Sequence, residues 1–264
     1  MLHRLEDRAI VALSGRDVRS FLQGLVTNDV DRLAPGKPLY TALLTPQGKI
    51  LFDFLLLDDG QETILLDGWA PARDTLIKRL SMYRLRAKVE IAPRDDLGVF
   101  AAWDGTALPG IAFGDPRIAA LGRRSIGPKT QGGDGYLAHR LALGIPEAAD
   151  FGSDKTFALD GGLDELHAIA FDKGCYVGQE LTARMKHRGT ARKRILPVET
   201  TDKSALTVGT DLRANSHAMG EIVSAYDSRG FALVRLDRLE EAGDAPIEAG
   251  GHGVRVFKPD WLFA

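Results

Sequence analysis

The sequence predicts an α+β protein in which two mixed α/β units precede a small antiparallel β-barrel. Two observations lead to this fold class. Up to residue 194, short apolar strands alternate with amphipathic helices, and turn residues join several of the strands. Beyond that point, short strands separated by glycine-containing turns follow one another, a pattern typical of a small barrel. We expect three units, over residues 1–95, 96–194 and 195–264.

The first unit is expected to start with a strand at 9–13 and a helix capped by Asp17. Strands at 39–45 and 50–57 flank the turn residues 46–49, which indicates a β-hairpin. The remaining elements are expected in the order strand 62–66, helix 71–82 and strand 89–91.

The second unit is expected to contain strands at 99–102, 111–113 and 118–121 and helices at 136–143 and 163–170. Its glycine-rich stretch 127–135 lacks the spacing of a Walker motif, so it predicts a surface loop and not a phosphate site. In the third unit, strands are expected around 209–212, 220–224, 230–236 and 253–256.

Composition limits the function classes. With 34 basic and 36 acidic residues, the chain is near neutral, and no overall field favours nucleic acid or a membrane surface. A single cysteine excludes an intramolecular disulfide and fits a reducing compartment. The first eight residues are charged, and the most apolar run, 50–57, is interrupted by Asp53. We therefore expect a cytoplasmic protein that does not enter a membrane.

The only cysteine, Cys175, lies in a run that combines a thiol with glycines, an aromatic ring, an amide and charges. A thiol attacks or binds a metal only as thiolate, and cations such as Lys173, Arg184 and Lys186 would lower its pKa if they fold close to it. A buried structural cysteine is the alternative, because free cysteine is among the most buried residue types. In order, the run reads Lys173, Gly174, Cys175, Tyr176, Val177, Gly178, Gln179 and Glu180.

The longer stretch 171–189 closely resembles the signature of the YgfZ-type folate-binding proteins. These are relatives of the glycine-cleavage T-protein, an aminomethyltransferase, and act in iron-sulfur cluster assembly and repair. Stretches 15–17, 21–24, 27–30 and 41–50 resemble the opening of the same superfamily. The resemblance spans most of the chain and is weakest in the middle third. It implies two ferredoxin-like α/β domains and a C-terminal barrel around a central folate-binding channel.

The same resemblance implies a tetrahydrofolate-binding accessory protein that acts through Cys175, as a cluster ligand or as a redox thiol. Folate and the iron-sulfur assembly machinery, or client iron-sulfur proteins, are the expected partners. Lys173 would lower the thiol pKa. The other motif residues would shape or hold the loop: Gly174, Tyr176, Gly178, Gln179 and Glu180.

Folate contacts are also assigned by resemblance. The T-protein enzymes bind folate through an aspartate in the strand after the first hairpin, and Asp53 occupies one position of the pair of acids found there. The alternative for Asp53 is an outward residue of an alternating strand. Asn28 and Gln23 belong to the same class of candidates, although Asn and Asp near helix ends are commonly caps or turn formers.

Residues 184–194 carry six basic side chains and no acid. Arg184, Lys186 and Arg188 follow the cysteine motif directly, which favours a role in the site. Such a patch can meet the glutamate tail of folate, an acidic face of a partner or a nucleic-acid backbone, or it can be a solvated edge. With one cysteine and six scattered histidines, no metal site built from this chain alone is expected.

Two rival functions are an aminomethyltransferase that uses Asp53 as its polar activator and a tRNA-modification-related accessory protein that uses residues 184–194. The chain is shorter than the transferases and carries a cysteine motif that they lack. Near-neutral charge and the absence of a recognised binding motif count against nucleic acid.

Overall fold

The structure of the protein, a computed structural model, describes residues 1–189 and 192–263. The predicted basic stretch 184–194 is therefore described except for residues 190 and 191. Within these ranges the strands form a five-stranded sheet, a four-stranded sheet and a closed six-stranded barrel. The strands are β1 (His3–Arg4), β2 (Arg8–Ser14), β3 (Leu39–Leu44), β4 (Ile50–Asp58), β5 (Thr63–Trp69), β6 (Glu90–Pro93), β7 (Leu97–Ala102), β8 (Ile111–Gly114), β9 (Arg123–Pro128), β10 (Lys193–Thr200), β11 (Asp211–Ala214), β12 (His217–Tyr226), β13 (Arg229–Arg235), β14 (Ile247–Ala249) and β15 (His252–Val256). The helices are α1 (Val18–Gln23), α2 (Arg73–Arg84), α3 (Tyr136–Ala142), α4 (Ala148–Phe151), α5 (Gln179–Arg188), α6 (Leu236–Ala242) and α7 (Asp260–Phe263).

The first sheet is antiparallel, with the strand order β3-β4-β5-β2-β6. Side chains alternate between its two faces. On one face, Leu13 and Phe54 pack with Leu22 of α1 and Leu80 of α2. The other face carries Leu55 and its neighbours toward the second unit. The strands that alternation predicted here are observed.

The second sheet has the order β1-β7-β9-β8, so the N-terminal strand forms its edge. Residues 1–95 therefore do not form a wholly separate unit. Val99 and Ile126 of this sheet pack in one core with Ile10 and Leu57 of the first sheet. The two sheets thus enclose a shared interior, which contains Asp53 and the buried charges described below.

Two predicted elements of the second unit are wrong. Instead of a strand at 118–121 there is a 3-10 turn at Ala119–Leu121, and the strand is β9. The alternation in β9 was hidden because its inward residues include Arg124, which is 1% exposed. Instead of a helix at 163–170 there are turns, in which His167 adopts φ 60° and the Ala170 N–H donates to the Thr27 carbonyl oxygen.

The barrel closes in the order β10-β13-β12-β11-β14-β15, with β15 pairing back to β10. Its interior is filled by apolar side chains of alternating strand positions, including Leu196, Leu212, Ile222 and Val234. The predicted C-terminal barrel is confirmed.

Candidate functional site

A socket of three backbone carbonyl groups holds the side chain of Lys173. Its Nζ donates hydrogen bonds to the carbonyl oxygens of Gln23 (2.8 Å), Val26 (2.7 Å) and Asn28 (2.8 Å), at the end of α1 and in the turn after it. Burial lowers the pKa of Lys173 to about 8, while the nearby Asp29 raises it. An ammonium has three N–H donors, so all three are directed at this turn and none at the thiol.

Two more residues anchor the cysteine loop, residues 173–178. Tyr176 is buried, burial raises its pKa to about 12, and its ring centroid lies 5.3 Å from the Lys173 Nζ. Gly178 adopts φ +84°, and a Cβ atom there would lie 2.5 Å from the Thr45 carbonyl oxygen and 2.9 Å from the Leu44 Cβ. Only glycine permits this approach to the β3–β4 hairpin, which gives the expected shaping role of Gly178 a steric basis.

Cys175 and Gly174 face outward from the anchored loop. Cys175 is an exposed free thiol, so the alternative of a buried structural cysteine is wrong. A Cβ atom at Gly174 would meet nothing within 4 Å, and Gly174 does not adopt a positive φ. The expected shaping role of Gly174 therefore has no steric basis. The loop is fixed at both ends and presents its thiol to solvent.

Helix α5 starts directly after the loop. The Gln179 N–H donates to the Tyr176 carbonyl oxygen at 3.3 Å, which tightens the turn into the helix. Glu180 forms an exposed ion pair with Arg184 at 2.5 Å, an arrangement that contributes little to stability. Gln179 and Glu180 thus lie at the junction of loop and helix.

The exposed face of α5 is basic. Its last turn contains Lys186, His187 and Arg188, all exposed, and Arg184 lies one turn earlier with its side chain half exposed. Lys186 forms an ion pair with Asp164. This helix was not predicted, because no apolar stripe marks it and, among its described residues, the only buried one is a threonine. Its cations stand beside the cysteine loop.

Gln23 and Asn28, the expected folate ligands, use their side-chain amides to build the socket. The Gln23 amide donates to the Asp29 carboxylate at 2.7 Å and accepts from the Val30 N–H at 2.8 Å. The Asn28 amide donates to two backbone carbonyl oxygens at 2.8 Å and accepts from the Asp29 N–H. Both amides therefore form hydrogen bonds that hold the turn that receives Lys173 in place.

Asp53 on β4 is buried, with 2% of its surface exposed, so the alternative of an outward position is wrong. The Tyr40 hydroxyl donates to its Oδ2 at 2.9 Å, whereas its Oδ1 has no hydrogen-bond partner among the described residues. Burial raises the pKa of Asp53 to about 6; Arg8 lowers it and Glu147 raises it further. A buried acceptor without a donor is costly to the fold.

Asp53 also lines a cavity of about 200 Å³ at the edge of the first sheet. Phe52, Trp69 and Leu76 form apolar walls, and Ser153 closes it from the second unit. The structure does not bring the other expected folate residues to this cavity. Its lining omits Gln23, Asn28, Arg184, Lys186 and Arg188.

Buried charges occupy the junction of the two sheets. Arg117 pairs with Asp115 at 2.7 Å and with Glu147 at 2.6 Å, and Arg124 pairs with Asp67 at 3.0 Å. Composition gave no signal for this arrangement, because arginines are mostly exposed. We call it the central ion cluster, with the members Arg8, Asp67, Asp115, Arg117, Arg124, Arg140, Glu147 and Asp150.

The barrel joins this cluster through Tyr226. Its hydroxyl donates to Asp150 at 2.8 Å and accepts from Arg140 at 2.9 Å. Although burial raises the pKa of Glu147, Arg117 and Arg140 hold it well below its usual range. All three units therefore contribute to one charged interior.

Two further findings concern the described residues only. In these ranges, no group of three or more His, Cys, Asp and Glu side chains is placed to hold a metal ion. No helix within them combines the length and the apolar composition that crossing a membrane requires.

Comparison with known proteins supports the fold. Residues 192–264 match the family model described as the CAF17 C-terminal beta-barrel domain. The glycine cleavage system aminomethyltransferase T of Bartonella henselae is a structural neighbour with a TM-score of 0.74 and 15% identity, covering 99% of this chain and 86% of that one. This likeness shows the fold alone, and it confirms the expected architecture of mixed α/β sheets followed by a C-terminal barrel.

Relatives in sequence are more specific. The chain is 36% identical to the "Iron-sulfur cluster assembly factor IBA57 homolog, mitochondrial" of Mycosarcoma maydis, over 92% of this chain and 67% of that protein. It is 31% identical to the "Iron-sulfur cluster assembly factor IBA57, mitochondrial" of Homo sapiens, over 98% of this chain and 84% of that protein. The murine protein of the same name is 30% identical.

These relatives correct one expectation and refine another. A cytoplasmic location is wrong by this comparison, because the relatives are named as mitochondrial proteins. The resemblance to YgfZ-type proteins holds at the level of the superfamily and of iron-sulfur assembly, while the relatives found carry the name of a related family. The chain belongs to the IBA57-type iron-sulfur cluster assembly factors.

Proposed function

We propose that this protein supports the assembly of iron-sulfur clusters and that Cys175 is the residue that contacts the cluster. The observation that carries the proposal is an exposed thiol on a loop that is anchored at both ends. Cysteine thiolates are the usual protein ligands of iron-sulfur clusters, and rigid support keeps such a ligand in a fixed position. Relatives named as iron-sulfur cluster assembly factors support the same role, in the mitochondrion.

Cys175 supplies a single ligand, whereas a cluster needs several. Since no group of three or more His, Cys, Asp and Glu side chains among the described residues could hold a metal ion, the other ligands would come from a partner, either an assembly protein or a client protein. The cluster is then the cargo that passes between the two. Arg184 and Arg188 on the basic face of α5 suit an acidic surface on that partner, which would speed its encounter with the loop.

Complementation of cells that lack this protein tests the role of Cys175. Cys175→Ala should remove the support of an iron-sulfur-dependent enzyme, while the purified variant loses less than about 1 kcal/mol of unfolding free energy, because an exposed sulfur leaves no cavity. Met82→Ala on α2, which also removes an exposed sulfur-containing group but lies outside the loop, serves as the control and should retain function. Full activity of the Cys175→Ala cells would contradict the proposal.

Binding of tetrahydrofolate is the second part of the proposal. The cavity at Asp53 is suited to one part of the tetrahydrofolate molecule. An unpartnered Oδ1 suits the N–H and amino groups of a pterin ring. The volume of about 200 Å³ is below the range of about 300–1,000 Å³ that drug-sized ligands occupy, so the ring would enter and the rest of the molecule would remain outside. When bound, tetrahydrofolate carries one-carbon units; Asp53 would hold and orient its ring.

A thermal shift tests folate binding without any enzyme assay. Tetrahydrofolate at tenfold its Kd should stabilise the protein by about 1.4 kcal/mol through mass action, a rise of about 3 °C in Tm for a chain of this size. Asp53→Ala should abolish the rise, and Arg188→Gln, outside the cavity, should leave it unchanged. The absence of any shift at millimolar tetrahydrofolate would remove folate from the proposal and leave the role of Cys175 standing.

A further inference from the structure

A second cavity, of about 660 Å³, lies between the second unit and the barrel. The end of α3, the outer face of β10 and the C-terminal segment 257–261 form it. Its volume lies within the range of about 300–1,000 Å³ of small-molecule sites. None of its lining residues also lines the Asp53 cavity. The walls are mainly apolar: Ile118, Leu141, Leu143, Pro197, Phe257 and Trp261.

Direct contacts between its three walls fix the shape of this cleft. A Cβ atom on Gly144 would lie 2.7 Å from the Pro259 Cγ and 2.9 Å from the Pro197 Cγ, so the end of α3 touches both other walls. The Trp261 indole N–H donates to the Leu143 carbonyl oxygen at 3.0 Å. The cleft is therefore preformed, and a ligand would bind without ordering the segment first.

The lining of the cleft contains two acids, Glu199 and Asp260, and two cations, Arg229 and Lys258, and two further cations adjoin it at Glu199. Glu199 on β10 is flanked in register by Arg229 on β13 and Arg255 on β15, and the Arg229 Nε lies 3.4 Å from its carboxylate. The Lys258 Nζ lies 5.8 Å from the centroid of the Phe263 ring. Within the described residues, neither Arg255 nor Lys258 has a carboxylate partner, and Asp260 is the only other acid in the lining. Glu199 also forms an ion pair with Lys203. With Lys203 and Arg255 included, four cations surround the cleft against two acids, and the donors of Arg255 and Lys258 remain available.

We propose that this cleft binds an amphipathic organic anion, with an apolar or aromatic body and one carboxylate or sulfonate group. The body would lie against Trp261 and Leu141, and the anionic group would accept charge-assisted hydrogen bonds from Arg229 and Lys258. An apolar cavity with a few convergent polar groups is the usual construction of such a site. The inference goes beyond the proposed function, because neither Cys175 nor Asp53 lines the cleft.

The fluorescent anion anilinonaphthalene sulfonate and its neutral analogue phenylnaphthylamine test the proposal on the full chain. We expect one molecule of the sulfonate per chain, bound at least about threefold more tightly than the neutral dye. Ala120→Trp, which fills the cleft, should weaken sulfonate binding at least tenfold. Ala119→Trp, in the same exposed turn but outside the lining, is the matched control and should bind as the wild type does.

Two double variants test whether the cleft prefers an anion. Arg229→Gln with Lys258→Gln should remove the preference for the sulfonate, whereas Arg213→Gln with Lys37→Gln, two exposed cations elsewhere, should keep it. Near-UV circular dichroism shows which variants fold. If the Ala120→Trp protein does not fold, Ala142→Trp takes its place. Equal binding by the two tryptophan variants, or an unchanged preference in the first double variant, would overturn the proposal.

Discussion

The socket around Lys173 makes a prediction that separates anchoring from activation of the thiol. Lys173→Met keeps the length of the side chain and removes all three hydrogen bonds to the turn after α1. A hydrogen bond to a charged group contributes about 1.5–3 kcal/mol. Burial of the ammonium, which lowers its pKa to about 8, offsets part of that sum. We expect a net loss of about 2–3 kcal/mol in the free energy of unfolding.

Urea denaturation at pH 7 measures this loss, and iodoacetamide alkylation measures the thiol. Lys186→Met is the matched control, because that lysine is exposed and its surface ion pair contributes less than about 1 kcal/mol. Lys173→Arg should not rescue stability, since a planar guanidinium cannot direct three donors at three converging carbonyls. Alkylation of Cys175 in Lys173→Met should stay within about threefold of the wild type. Unchanged stability with tenfold slower alkylation would refute the socket and make Lys173 the thiol activator.

Three further predictions use other parts of the structure. Gly178→Ala should lose at least about 2 kcal/mol, because its Cβ meets the hairpin and its φ is positive, whereas Gly174→Ala should change stability by less than about 1 kcal/mol; thermal melts of the pair decide this. The stability that protonated Asp53 contributes is complete below pH 3.8 and is lost as the pH rises through about 6. The stability of Asp53→Asn relative to wild type should therefore increase by about 2.4 kcal/mol from pH 4 to 7.5 in urea titrations, and a flat difference would exclude the raised pKa. Arg117→Met should lose about 3–5 kcal/mol in the same assay, because it leaves Asp115 and Glu147 buried without that partner, and a loss below 1 kcal/mol would contradict the central ion cluster.

Local pattern was sufficient for the strands of the first sheet and for four of the six barrel strands, β11, β12, β13 and β15. In β4, for example, an apolar run that only Asp53 interrupts lies between turn residues and indicates a strand, and the strand is observed with both faces mostly buried. Residues 163–170 show where this reasoning fails. Leu163, Leu166 and Ile169 have the spacing of a helix, but the backbone turns instead and the Ala170 N–H pairs with Thr27, a partner that no local pattern reveals.

The candidate site was found in part. The cysteine run pointed to Cys175, and the structure does expose that thiol. The partner of Lys173 could not be predicted, because the socket consists of backbone carbonyl groups, which every residue type carries. The central ion cluster was missed for a related reason: only the tertiary fold brings Glu147 within reach of Arg117 and Asp67 within reach of Arg124.

The central ion cluster also affects how the protein unfolds. Removing the barrel would strip Tyr226 from Arg140 and Asp150. Separating the first unit from the second would part Arg124 from Asp67 and Arg8 from Glu147. Each step would expose or leave unpaired charges that the remaining units hold in a water-excluded interior. No unit can melt first at low cost, so unfolding should proceed in one cooperative step, and a partly detached unit should be too rare to serve as a step in cluster delivery.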